Sequence, residues 1–186
     1  SFFNKFKGLK ILSIGRLTDQ KDQITLLKAS KILKEKYSIN FKIYLIGQGT
    51  YKDSLKKFIL LNNLSKNVKI AGYKKNAFAY LKSSDLFILT SKYEGLPNVL
   101  IEAQSLGIPV ISSNCPTGPK EILKAGKLGD LFNVGDFSSL SKKIYNFYRN
   151  KKILRRKAIL AKNFLDYYDY ETNLKKYVKI IQKQIN

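Results

Sequence analysis

The chain contains no histidine, no methionine and no tryptophan, and a single cysteine, Cys115. Without histidine, imidazole zinc sites, Ser-His-Asp triads and Cys-His dyads are excluded within the chain. One cysteine cannot close an internal disulfide, which fits a reducing, cytosolic setting. No run approaches the roughly 18 apolar residues of a membrane span, and no secretory leader is visible. The opening Ser1-Phe2-Phe3-Asn4 has no initiator Met, which leads us to expect a piece of a longer protein. Acidic residues are scarce: 13 Asp and Glu face 35 Lys and Arg, leaving a net charge of +22. That excess fits an anionic membrane surface or nucleic acid as partner, or plain compositional bias. The cations are spread from Lys5 to Lys183, and no nucleic-acid-binding motif is present, so nucleic acid is not expected as a partner. The G-x-x-x-x-G-K-[ST] phosphate loop and the G-x-G-x-x-G dinucleotide fingerprint are both absent.

What is present is globular. A length of 186 residues with 44% hydrophobic content is enough for a buried core. Strand-like runs fall at 10–14, 41–46, 68–71, 86–90, 109–112 and 129–132. The central ones are nearly continuous in apolar character, as strands covered on both faces are. Helix-like stretches alternate with them at 23–37, 51–61, 77–82, 98–106, 119–123 and 137–150. In the first, Ile24, Leu27, Ile32 and Leu33 form a rough helical stripe. This alternation predicts an α/β fold, a Rossmann-like doubly wound parallel sheet over residues 1–150. From 151 to 186 only helical patterning remains, at 152–164 and 171–184. The last helix is expected to cross to a partner domain, with Tyr167, Tyr168 and Tyr170 at the crossing.

In open parallel sheets, ligands bind beyond the carboxyl ends of the strands. After the first strand, Gly15 leads to Arg16 and Lys21, two cations able to clamp a diphosphate without a metal. They could equally be solvated. Gly47-Gln48-Gly49 after the second strand reads as a tight turn or a ligand loop, and Gly72-Tyr73 follow the third. After the fourth come Glu94, Gly95, Leu96 and Pro97, then a helix from Asn98 with Pro97 expected at its first position. The free N–H groups of such a helix, near Asn98 and Val99, make an anion site. Glu102 lies four residues beyond Asn98 on the same face, where a carboxylate suits two vicinal hydroxyls. It could instead pair with a neighbouring Lys, and Glu94 could be a solvated loop acid. Cys115 reads as an incidental small side chain rather than a reactive thiol.

The run Glu94-Gly-Leu-Pro-Asn-Val-Leu-Ile-Glu102 resembles the E-x7-E motif of retaining glycosyltransferases of the GT-B class, chiefly family 4. Gly15-Arg16-Leu17 with Lys21 resembles that family's diphosphate loop. The segments 84–91, 107–111 and 115–122 resemble the neighbouring strands and a loop of bacterial surface-polysaccharide members. The matches run from about Gly8 to Asn150, in order. The resemblance implies the C-terminal, donor-binding half of a GT-B enzyme. Its amino-terminal acceptor domain, about as long again, lies outside this chain. It implies transfer of a hexosyl unit from a nucleotide-diphospho-sugar to a glycan or lipid-linked acceptor. A UDP-sugar is expected ahead of a GDP- or ADP-sugar, with no metal cofactor. By this likeness Arg16 and Lys21 stabilise the departing diphosphate, Glu94 contacts the transferred sugar and Glu102 holds the ribose. The amides of Gly95, Leu96, Pro97, Asn98 and Val99 lie by sugar and phosphate, and Gly15, Gly72 and Tyr73 also touch the nucleotide. (Pro97 itself has no N–H to offer.) The fragment alone is expected to transfer nothing, and the enzyme to be cytoplasmic, peripheral on the inner membrane face. A stand-alone nucleotide-sugar module and a nucleotide-sugar isomerase of the same fold remain as alternatives.

Overall fold

The structure, a computed structural model, describes residue 3 and residues 5–185. Six strands follow in order: β1 (Leu9–Ile14), β2 (Phe41–Ile46), β3 (Val68–Ile70), β4 (Leu86–Leu89), β5 (Val110–Ser113) and β6 (Asp130–Phe132). Helices α1 (Gln23–Glu35), α2 (Lys52–Leu61), α3 (Ala77–Lys82), α4 (Asn98–Ser105) and α5 (Pro119–Ile122) connect them. Three more helices close the chain: α6 (Phe137–Arg149), α7 (Lys151–Ala161) and α8 (Tyr170–Ile185). All strands are parallel, in the order β3-β2-β1-β4-β5-β6. β1 is therefore central, and the order reverses between it and β4, where a crevice opens.

Strand alternation sorts the core into two layers. Ile11, Ile43 and Leu86 point to one face and meet Leu26, Leu27 and Leu33 of α1 and Leu140 and Ile144 of α6. Leu12, Phe87 and Leu89 point to the other and meet Leu81 of α3 and Leu100 and Ala103 of α4. Each fully buried Leu, Ile or Phe contributes about 1.5–3 kcal/mol of hydrophobic stabilisation. Burial on both faces accounts for the nearly continuous apolar runs of the central strands.

The expected α/β doubly wound sheet is present, with local differences at its ends. In α1, Leu26, Leu27, Ala29 and Leu33 form the buried stripe, and Ile32 is only half-buried. The helix expected over 152–164 ends at Ala161, and a tighter 3-10 turn, Lys162–Tyr168, leads to α8. Asn150 separates α6 from α7: its backbone is extended and its side chain accepts the Lys152 N–H at 3.1 Å. Of the expected crossing tyrosines, Tyr168 packs against this domain's own core while Tyr167 is exposed. The Tyr170 side chain and part of the opening Ser1–Asn4 lie outside the described residues.

Candidate functional site

The floor of the crevice is backbone. The β1 and β2 ladder continues past the strands, with Gly15 N–H donating to Ile46 C=O at 3.0 Å and Leu17 N–H to Gln48 C=O at 2.8 Å. Gly47 N–H donates to Gly72 C=O at 3.0 Å. A Cβ on Gly47 would lie 1.8 Å from the Gly15 carbonyl oxygen, and one on Gly49 would lie 2.2 Å from that of Leu17. Only glycine permits this approach. The Gly47-Gln48-Gly49 segment is thus the seam between the loops that follow β1 and β3, and Gln48 also lines the cleft above it.

That cleft has a volume of ≈ 750 Å³, within the range of small-molecule sites. Gly15, Arg16, Lys21, Tyr73, Glu94, Leu96, Pro97, Asn98, Val99 and Glu102 all line it. Ten of the twelve residues singled out from the sequence therefore meet in one place. Gly72 and Gly95 do not line it: Gly72 is taken up in the β2–β3 seam, and Gly95 lies over Gly118. Lys74, Lys75 and Ala77 line the cleft too and carried no motif.

One wall is heavily cross-linked. Lys21 Nζ donates to Glu94 Oε1 at 2.5 Å, and the two side chains are only 16% and 7% exposed. Ser91 Oγ donates to the same oxygen at 2.5 Å. Ser91 is itself fully buried, and its carbonyl accepts Ser113 Oγ at 2.6 Å. Thr90 Oγ1 donates to the Lys21 carbonyl at 2.8 Å, and Thr117 Oγ1 donates to the Glu94 carbonyl. A Cβ on Gly118 would lie 2.3 Å from the Gly95 carbonyl oxygen, so the β5 loop sits directly under the β4 loop. Hydroxyls from the ends of β4 and β5 thereby fix both the cation and the carboxylate. Glu94 is not the solvated loop acid that its position allowed.

Behind this wall the β1 and β4 loops are tied again. Lys92 N–H donates to Gln20 C=O at 2.8 Å, Gln20 Nε2 to Tyr93 C=O at 3.0 Å, and Lys92 Nζ meets Asp19 Oδ1 at 2.6 Å. The hydrogen bond from Lys92 holds the Asp19 carboxyl below its ordinary value, and the same bond raises the Lys92 ammonium. Arg16 is exposed at the cleft mouth, with Nη2 3.3 Å from Gln20 Oε1. Asp22 starts α1 in a left-handed conformation, φ 43°, and accepts Thr25 Oγ1 at 2.6 Å. Burial pushes its carboxyl up.

Across the cleft α4 begins at Asn98, with Pro97 as its cap rather than its first helical residue. No side chain caps the helix, so its first N–H groups are open to an anion. Glu102 is one turn in, half-buried on the cleft, and makes no ion pair among the described residues. The alternative of a neighbouring Lys partner is not seen. Cys115 is 2% exposed; burial pushes its thiol up, as befits an unreactive packing residue. Among the described residues, no group of three or more His, Cys, Asp or Glu is placed to hold a metal ion.

The fold and cleft define a Rossmann-like α/β domain with an open cleft at its topological switch point. The sequence profile of the glycosyl transferases group 1 family matches residues 3–163, and the chain belongs to that family. An uncharacterized glycosyltransferase of Methanocaldococcus jannaschii is 48% identical over 121 residues, which cover 64% of this chain and 30% of that protein. A Campylobacter jejuni enzyme is 29% identical over 84% of this chain and 46% of its own length. Its name is N-acetylgalactosamine-N,N'-diacetylbacillosaminyl-diphospho-undecaprenol 4-alpha-N-acetylgalactosaminyltransferase. Among solved structures, a point mutant of S. aureus TarM in complex with fondaparinux, alpha-GlcNAc-glycerol and UDP superposes with a TM-score of 0.83 at 25% identity, over 92% of this chain and 35% of TarM. Anabaena HepE in complex with UDP gives 0.85 at 21% identity, over 95% of this chain and 49% of HepE, a likeness of fold. The structural neighbours are GT-B glycosyltransferases. The chain spans less than half the length of each of these relatives.

Proposed function

We propose that this chain is the donor-binding part of a retaining glycosyltransferase. The donor is a nucleotide-diphospho-hexose, a UDP-sugar ahead of a GDP- or ADP-sugar, and the acceptor is a glycan or lipid-linked glycan. The observation that carries this reading is the Lys21–Glu94 pair facing an uncapped α4 across one cleft, with Glu102 on that cleft and free of ion pairs among the described residues. The names of the Campylobacter relative and of the UDP-bound neighbours agree with it.

In this reading the α4 N–H groups and Lys21 hold the diphosphate, with Arg16 closing from the mouth. Glu102 accepts from both ribose hydroxyls. The main electrostatic contribution is stabilisation of the departing diphosphate by fixed cations and N–H dipoles. Lys21 changes partner when phosphate arrives, and the freed Glu94 oxygen accepts from a hydroxyl of the sugar. Ser91 keeps that carboxylate aimed throughout. With charge supplied by side chains and helix, no step calls for a divalent metal. Attack on the same face of the sugar as the leaving group retains configuration. The acceptor sits on an amino-terminal domain outside these 186 residues, and the whole enzyme works at the cytosolic face of a membrane. The chain alone binds nucleotide but transfers no sugar, because donor and acceptor must be held together for attack.

A thermal-unfolding panel of UDP-, GDP- and ADP-sugars tests the reading. Ligand that binds only the folded chain raises its midpoint. UDP-sugars are expected to give the largest shift. No shift from any nucleotide sugar at millimolar concentration would sink it.

A further inference from the structure

Between positions 137 and 165 the chain carries nine Lys or Arg and no Asp or Glu. Every acid of the protein lies outside this stretch, which α6 and α7 occupy. Two of the cations turn inward. Lys157 meets Asp130 at 2.6 Å and Lys151 meets Asp85 at 3.6 Å. The same inner side of α7 buries Leu154, Ala158 and Ala161.

The opposite face of α7 is different in kind. Lys152, Arg155 and Arg156 are exposed there, at helical spacing, and have no acidic partner among the described residues. Interleaved with them are Ile153, 62% exposed, Ile159, 66% exposed, and Leu160, 45% exposed. One exposed aliphatic side chain needs no account. Three on one helix, flanked only by cations, form a surface with two demands, an anionic partner and an apolar one. A nucleic acid meets the first and offers little to Ile or Leu, since single strands are gripped by aromatic stacking. An anionic bilayer meets both. Its negative surface potential draws the cations, and the boundary between headgroups and acyl chains takes the aliphatic side chains.

We propose that the outward face of α7 is a docking surface for an anionic lipid bilayer, with the helix lying in the plane of the membrane. The proposal deepens the membrane placement made above and uses none of the donor-site assignments, so it stands or falls separately from nucleotide binding.

Co-sedimentation of the 186-residue chain with vesicles tests it. One set is phosphatidylcholine alone, and the other contains phosphatidylglycerol as well. The chain should partition to the anionic vesicles and be released by salt in large part, leaving a weaker apolar remainder. Each cation removed from α7 should weaken partitioning about fivefold, so Lys152→Gln, Arg155→Gln and Arg156→Gln together should weaken it about a hundredfold. The control removes Lys52, Lys57 and Lys66, which are exposed on α2 and the loop after it, beside β3 at the far edge of the sheet. The control should lose far less. Ile153→Ser with Ile159→Ser should weaken the binding that survives at high salt. All changes are at exposed positions, and unchanged thermal unfolding checks the fold. Equal loss from the α7 and control triples overturns the assignment in favour of net charge. Equal partitioning to neutral vesicles overturns it as well. Loss of RNA binding, or of self-association, by the α7 triple with vesicle binding intact would assign the face to those partners instead.

Discussion

The two ends of the cleft proposed to hold the donor are built differently. At the Lys21–Glu94 end every polar atom named above has a partner, and hydroxyls from two strands brace the pair from below. At the other end Tyr73 is 69% exposed, and Lys74 and Lys75 line the wall from the loop between β3 and α3. The first end is organised before any ligand arrives. The second is shaped by long side chains with freedom to lose. If the proposed donor placement holds, binding strength and geometry belong to the Lys21–Glu94 end, and tolerance of the base to the open end.

Removing the cation should break the contrast most. Lys21→Met is expected to weaken UDP binding about tenfold to a hundredfold, as for loss of a charged hydrogen-bond partner. It also leaves Glu94 nearly buried without its cation, so the chain should be destabilised by about 3 kcal/mol in denaturant titration. UDP affinity equal to that of the unaltered chain would remove Lys21 from the diphosphate site. Glu102→Gln should cost about 1–3 kcal/mol in UDP binding with little effect on stability, since Glu102 makes no ion pair among the described residues. Unchanged affinity in calorimetry rejects its ribose role.

A smaller change of opposite sign sharpens the comparison. Glu94→Gln releases Lys21 from its competitor, so UDP without sugar should bind about threefold to tenfold more tightly. In a Lys21→Met background the gain should vanish. A gain that persists there means simple repulsion between carboxylate and phosphate, not exchange of partners. Tyr73→Ala should have the smallest effect, about 1 kcal/mol, because an exposed ring gives at most a weak stack to the base. A loss larger than that of Lys21→Met would invert the ranking of the two ends.

The sheet was legible because its central strands are buried on both faces: Leu86–Leu89 has no polar residue, and Phe41–Ile46 is interrupted only by the half-buried Lys42. Element ends were less so. Pro97 suits either the cap or the first helical position, and the choice depends on ψ 86°, which Gly118 beneath the loop helps to fix. Most of the site residues were legible as types at strand ends, yet their partners were not. Lys21 and Glu94 are 73 positions apart, and only the parallel β1–β4 pairing brings their loops together. Ser91, Ser113 and Thr117 carried no signal as isolated hydroxyls. Gly72 and Gly95 were expected by resemblance to contact the donor; in the fold the Gly72 carbonyl accepts the Gly47 N–H, and the Gly95 carbonyl lies against Gly118. The contrast within the terminal helices was hidden as well. Cations appear all along the sequence, and only folding sorts Lys151 and Lys157 inward from Lys152, Arg155 and Arg156.

The burial of Cys115 has a practical side. The chain holds one thiol, which is 2% exposed and pushed toward its neutral form. With no histidine or methionine either, the protein surface is silent to thiol-directed and soft-metal reagents. A cysteine placed at Gln48, exposed on the cleft rim, would be the one site that a maleimide dye reaches in the folded chain. Its fluorescence would then follow occupancy of the cleft without removal of the native cysteine, and labelling at Cys115 would serve as a clock for unfolding.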